Sequence, residues 1–210
     1  MSTVASHAET RIVIDNVSWS AYDALVTGTQ CAGTRFTYDR GVLEIMSPSR
    51  EHERVKRLLG RMVEMLTFER DIPVSSSGSM TLRDVLKQRG LEPDECYYIA
   101  NEPAMRGRDE YDPAIDPPPD LAIEVDLSRS SVDKLSIYAD LGVPEIWTFA
   151  DDRLEFYQLQ PNGTYRTTER SRAFDFLKSA DLQGFLDERH GAEETAWARR
   201  FCDWIRTIPE

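Results

Sequence analysis

Apolar positions along this chain follow two rhythms, one helical and one of strands. Val55, Leu58, Leu59, Met62, Val63 and Leu66 sit at i, i+3, i+4, i+7, i+8 and i+11, the spacing of one face of a long helix. Ser47-Pro48-Ser49 precedes them with capping hydroxyls and a proline tolerated in a first turn. Asp71-Ile72-Pro73 follows, and Arg54, Arg57 and Arg61 line the opposite face. Shorter helices are predicted after Ser18, carrying Trp19, Tyr22 and Leu25, and over 192–206, with Trp197, Phe201 and Trp204 or Ile205 on the apolar side. Ser130-Ser131-Val132-Asp133 resembles a capping box for another, running to about Leu141, with Gly142 as its C-cap and Pro144 beyond.

Alternation marks the strands. Residues 11–14 and 94–99, LAIEVDL from Leu121, 145–150, 153–160 and 164–168 read as strands, and 35–46 reads as a hairpin turning at Asp39-Arg40-Gly41. Residues 75–90 predict a strand and a short helix stopped by Gly90, and 101–119, with five prolines, a long loop. Residues 1–10 read as a loose tail. The order predicts an α/β chain, a mixed β-sheet flanked by helices. The strand–helix–strand unit over 120–150 leaves strand direction open.

Composition narrows the class. The 210 residues, 40% hydrophobic, suit a single domain over 1–210. With 30% charged residues and no long apolar run, no membrane association is expected. The first ten residues lack a basic and an apolar region, and Cys31, Cys96 and Cys202 have no paired spacing, so a cytoplasmic location is expected. Only three histidines (His7, His52, His190) exclude a His-rich metal site. A net charge of -12 argues against a generic nucleic-acid coat, while leaving open a local phosphate site built on a basic stripe or a bound metal.

Candidate chemistry centres on residues 120–134. Asp120, Ala122, Glu124 and Asp126 share one strand face. Three acids there repel one another unless a divalent cation, a lysine or an arginine compensates. An exposed face, or bridges to arginines, meets the same spacing. Lys134 opens the next helix and shares a stripe with Ile137, Tyr138 and Leu141, either as a structural ion pair or as a catalytic group. Asp94 begins another strand. With Glu124 it makes a two-carboxylate site suited to Mg²⁺ or Mn²⁺, or it is simply a turn acid after Pro93. Glu51-His52-Glu53 opens the long helix, where acids suit the helix dipole.

The stretches LEIMSPSREHERVKRLLGRM, LEPDECYYIANE, IDPPPDLAIEVDLSRSSVDKLSIYADLGVPEIW and LEFYQL resemble, in order, the Uma-two family of restriction-endonuclease-like proteins, within the PD-(D/E)XK nuclease superfamily. The resemblance covers about residues 36–160. It implies a restriction-endonuclease-like core, here with an N-terminal hairpin extension, and a Mg²⁺- or Mn²⁺-dependent endonuclease acting on nucleic acid, with DNA the expected substrate. Asp94 would be the motif aspartate and Glu124 the acid of the (D/E)XK element. Position 126 is Asp126 where the simplest pattern has lysine, and Lys134 matches a lysine moved to the next helix. His52, with Glu51 or Glu53, matches the helix-start motif, and Asp120 would share the metal with Asp94 and Glu124. The alternative is an inactive nuclease-fold module that binds nucleic acid or a partner protein. A homodimer is also expected, from the need to cut two strands and from the apolar terminal helix.

Overall fold

Two sheets, rather than one, carry the strands. The computed structural model describes residues 9–28, 33–128 and 130–209. Residues 1–8 of the expected tail, with His7, and Cys31 lie outside the described residues. The chain opens with β1 (Thr10–Ile14) and α1 (Trp19–Gly28), followed by the hairpin β2 (Arg35–Asp39) and β3 (Val42–Ser47). The long helix α2 (Arg50–Glu69) follows, capped by the Ser49 side chain, which accepts the His52 N–H. Then come β4 (Ser75–Ser76), β5 (Leu82–Asp84), β6 (Arg89–Leu91), β7 (Glu95–Tyr98) and a single helical turn, α3 (Glu102–Met105). β8 (Leu121–Asp126), α4 (Lys134–Leu141), β9 (Glu145–Ala150), β10 (Arg153–Leu159) and β11 (Tyr165–Thr168) lead to the closing helices α5 (Ser179–Asp187) and α6 (Glu194–Thr207).

The first sheet is antiparallel, in the order β1-β3-β2-β6-β5; the second runs β11-β10-β9-β8-β7-β4. β8 and β9 pair in parallel, so α4 is a true crossover, and the other pairs of that sheet are antiparallel.

Residues 75–90 differ from expectation: they hold strands and no helix. The Asp84 carboxylate accepts the backbone N–H groups of Leu86 and Lys87, which turns the chain into a hairpin. Gly90 is therefore no helix stop; it lies inside β6, opposite Tyr38 and Arg83. α4 starts three residues later than the expected box implies, because Asp133 rather than Ser130 is the N-cap and accepts the Ser136 N–H. Gly142 ends it at φ 77, a conformation that favours glycine. α5 escaped the periodicity reading, although Leu182 and Leu186 bury at i, i+4.

β8 divides its side chains between two cores. Leu121, Ile123 and Val125 pack with Leu59 and Val63 of α2 and with Trp197 and Phe201 of α6. Ala122 faces Ile137 and Tyr138 of α4 and Ile146 of β9. The apolar face of α6, with Trp197, Phe201 and Ile205, is thus buried in the core of its own chain. Among the described residues no helix is long and apolar enough to cross a membrane.

Candidate active site

β7 starts one residue after Asp94, and the Asp94 carboxylate takes over where the ladder would continue. Its backbone N–H donates to the Ile123 carbonyl, and its Oδ2 accepts the Val125 N–H at 2.8 Å. The acid is thereby fixed beside Glu124, the neighbour of Val125. Its Oδ1 accepts from His52 Nε2 at 2.8 Å, and Arg35 Nε lies 3.7 Å away. Burial alone would raise this carboxyl, but the hydrogen bond and charge of His52 hold it below the usual carboxylate range.

Glu124 points to the α4 side of β8 and is buried. One helical turn supplies both of its partners, since Lys134 and Tyr138 are four residues apart on one face. Lys134 Nζ donates to Oε2 at 2.6 Å, and the Tyr138 hydroxyl donates to Oε1. Burial would lower the lysine, yet the Glu124 and Asp94 carboxylates keep it above its ordinary value, so it is a cation. Burial also pushes the Glu124 carboxyl up against the pull of Lys134. The cluster opens onto a cavity of about 210 Å³, whose walls include Asp126, Ile146, Thr148 and Tyr157.

His52 is held at both ring nitrogens. Nδ1 contacts Glu9 Oε1 at 2.6 Å while Nε2 serves Asp94. Burial would lower its pKa; the bonds to Asp94 and Glu9 overcome this and raise it to about 9. His52 thus bridges Glu9 and Asp94, with one ring nitrogen on each carboxylate. Glu9 is correspondingly held at about 2: burial opposes this, and the His52 and Ser128 bonds outweigh it.

Arg11 ties three acids together. It donates to Glu44 at 2.7 Å, to Glu9 at 3.2 Å and to Asp126, and its Nε reaches Ser128 Oγ at 2.9 Å. Glu44 also accepts from Ser130 Oγ at 3.0 Å.

Of the residues singled out in the sequence, Asp94, Glu124, Lys134 and His52 converge. Glu53 does not join them; it is 41% exposed and 4.0 Å from Lys56. Glu51 pairs with Arg189 at 3.0 Å. Asp120 is also turned elsewhere: its carboxylate accepts the N–H groups of Ile99 and Asn101 and the Asn101 side-chain amide, anchoring the loop after β7. Arg54 donates to the Arg189 carbonyl and Arg61 pairs with Glu194 at 3.2 Å, which leaves Arg57 the exposed member of that stripe. Glu9, Arg11, Glu44 and Tyr138 were missed. Glu44, an acid within an apolar strand, carried the same signal as Glu124, and Tyr138 lay four residues from Lys134. Nothing in the polar N-terminal segment marked Glu9 or Arg11.

The sequence model of the Uma2 family, described as "Putative restriction endonuclease", matches residues 19–187. The chain belongs to the Uma2 family. Its match spans Asp94, Glu124, Lys134 and His52 but begins after Glu9 and Arg11. Among solved structures, this Uma2 chain is similar to a "putative nuclease belonging to DUF820" from Anabaena variabilis, with a TM-score of 0.53 and 13% identity, covering 81% of this chain and 99% of that one. At that identity the likeness shows a shared fold. No curated protein matches the chain.

Proposed function

We propose that the protein is a metal-dependent endonuclease that hydrolyses phosphodiester bonds in DNA. The observation that carries this reading is the meeting of Asp94, Glu124 and Lys134 in one buried patch of a Uma2 chain. Mg²⁺ asks for hard oxygen ligands, often one or two carboxylates completed by water and substrate phosphate. Asp94 and Glu124 fit that demand. Each of their oxygens accepts one protein donor, and a carboxylate oxygen has a second lone pair. Among the described residues no group of three or more His, Cys, Asp or Glu side chains is placed to hold a metal ion, so water and substrate phosphate would have to complete a shell begun by these two carboxylates.

Asp94 and Glu124 would hold the ion, which when bound lowers the pKa of a water and stabilises developing phosphate charge. Lys134 acts by charge. The Glu124 and Asp94 carboxylates favour its protonated form, which would neutralise a phosphate oxygen. Tyr138 fixes the second oxygen of Glu124, and His52 fixes Asp94.

The test is cleavage of plasmid and single-stranded DNA by the purified chain with Mg²⁺, Mn²⁺ or EDTA, alongside Lys134→Ala. That variant leaves the buried Glu124 carboxylate without its cation and is expected to lose stability; per folded molecule it is expected to lose about a hundred-fold to ten-thousand-fold in single-turnover rate. A wild-type rate would remove Lys134 from the chemistry, and no metal-dependent cleavage at all would remove the nuclease. A second reading, a non-catalytic DNA-binding module, is favoured by one feature: every oxygen of Asp94 and Glu124 already has an internal partner. DNA binding in EDTA with no calorimetric uptake of Mg²⁺ would select it.

A further inference from the structure

β1 buries the wrong side chains for a strand that merely closes a sheet edge. It pairs with β3 alone, from Thr10↔Ser47 to Ile14↔Leu43, at the end of the five-stranded sheet. Its apolar side chains face outward: Ile12 is 55% exposed, Val13 44% and Ile14 43%. The charged side chains go in: that of Arg11 is 10% exposed, and that of Glu9, the residue just before the strand, 1%. Taking charges out of water costs free energy, and leaving apolar surface in it forgoes the usual gain. Inward-pointing charges can guard a sheet edge against pairing, so what these charges touch decides their role.

What the buried charges touch explains the inversion. Glu9 Oε1 accepts from His52 Nδ1 at 2.6 Å, and Oε2 accepts from Ser128 Oγ at 2.5 Å. With Nδ1 engaged, the ring is locked in plane and carries its other hydrogen on Nε2, aimed at Asp94 Oδ1. Arg11 sits on Asp126, the position at which the simplest nuclease pattern carries lysine, and on Glu44. Glu9 and Arg11 both lie ahead of the family match, which begins at residue 19, while the residues they hold lie inside it.

We propose that β1 is part of the active site, with Glu9 a positioning residue that holds His52 against Asp94 and Arg11 the cation that neutralises Asp126. The proposal rests on the nuclease reading for its effect on rate, but its geometry is measurable without cleavage. Glu9→Ala and Glu9→Gln are compared with wild type by thermal midpoint, by steady-state cleavage of DNA with Mg²⁺, and by ¹H–¹⁵N NMR of the His52 ring and the Val125 amide. Val125 does not touch Glu9; its N–H is bonded to Asp94, so it reports any displacement relayed through His52. The expected result is a kcat lower by about ten-fold to a hundred-fold with KM unchanged, a perturbed Nδ1–H signal and a shifted Val125 amide. Should Glu9→Ala fail to fold, the isosteric Glu9→Gln carries the test. A lowered midpoint with wild-type kcat and an unmoved Val125 amide would overturn the proposal, reducing β1 to an edge strand. If wild type itself cuts nothing, the nuclease reading falls and the Val125 amide alone decides: a shift in Glu9→Gln upholds the positioning role, and an unmoved signal ends it.

Discussion

Gly90 lies where β6 passes beneath the ring of Tyr22. A Cβ built there would fall 2.3 Å from the Tyr22 hydroxyl oxygen and 3.0 Å from Arg83 Cβ. Tyr22 cannot yield easily, because it is fully buried and stacked on Tyr38 with ring centroids 4.7 Å apart. Gly90→Ala is therefore expected to destabilise the fold by about 1–3 kcal/mol, the usual cost of overpacking, read as a lower urea midpoint with an unchanged slope. An unchanged midpoint would mean that the Tyr22–Tyr38 stack is loose. A glycine after a polar stretch looks like a helix stop in sequence; the steric demand that selects it comes from a side chain 68 positions earlier (90 − 22). The same holds in the site. Glu124 and Lys134 stood out locally, as an acid in an aliphatic strand and a lysine on an apolar stripe. Glu9 looked like any acid in a polar tail until His52 was placed beside it.

Among the elements, α6 shows most directly how a helix earns its place. Trp197, Phe201 and Ile205 are buried at i, i+4 and i+8. Phe201 stacks on Trp197, with centroids 5.7 Å apart, and meets Phe185 of α5 edge-on at 4.8 Å. Phe201→Ala should cost about 3–5 kcal/mol, the range for truncating a buried aromatic ring, measured by chemical denaturation. A loss below about 1 kcal/mol would show that α6 contributes little to this core. The periodicity predicted this helix well, because a helix face is written in consecutive residues. It did not say which element the face would meet.

Across the whole molecule, the paired charges around His52 make stability depend on pH. The folded pKa of His52, about 9, lies above its ordinary 6.5, so its contribution is complete below pH 6.5 and fades as pH rises through 9. That of Glu9, about 2, lies below its ordinary 4.5, so its contribution is complete above pH 4.5 and fades as pH falls through 2. The thermal midpoint of wild type minus that of His52→Ala should be largest between pH 4.5 and 6.5 and shrink toward pH 9. A difference that grows with pH would contradict a charged His52.

Sequence alone determined the local features: a serine cap at Ser47 or Ser49, the α2 stripe, the Gly142 stop and the β2–β3 hairpin, each coded by residues within a few positions of one another. It also drew attention to Glu124 and Lys134, charged groups within or next to apolar runs, while Asp94 and His52 came forward through the family resemblance. Tertiary structure decided the rest: that the strands form two sheets, that β8 and β9 run parallel, that Asp120 serves a loop, and that β1 reaches the site. These outcomes depend on partners far apart in the chain, such as Arg11 and Asp126. Buried electrostatics rewards such a pair strongly once it is folded, and no local periodicity announces it beforehand.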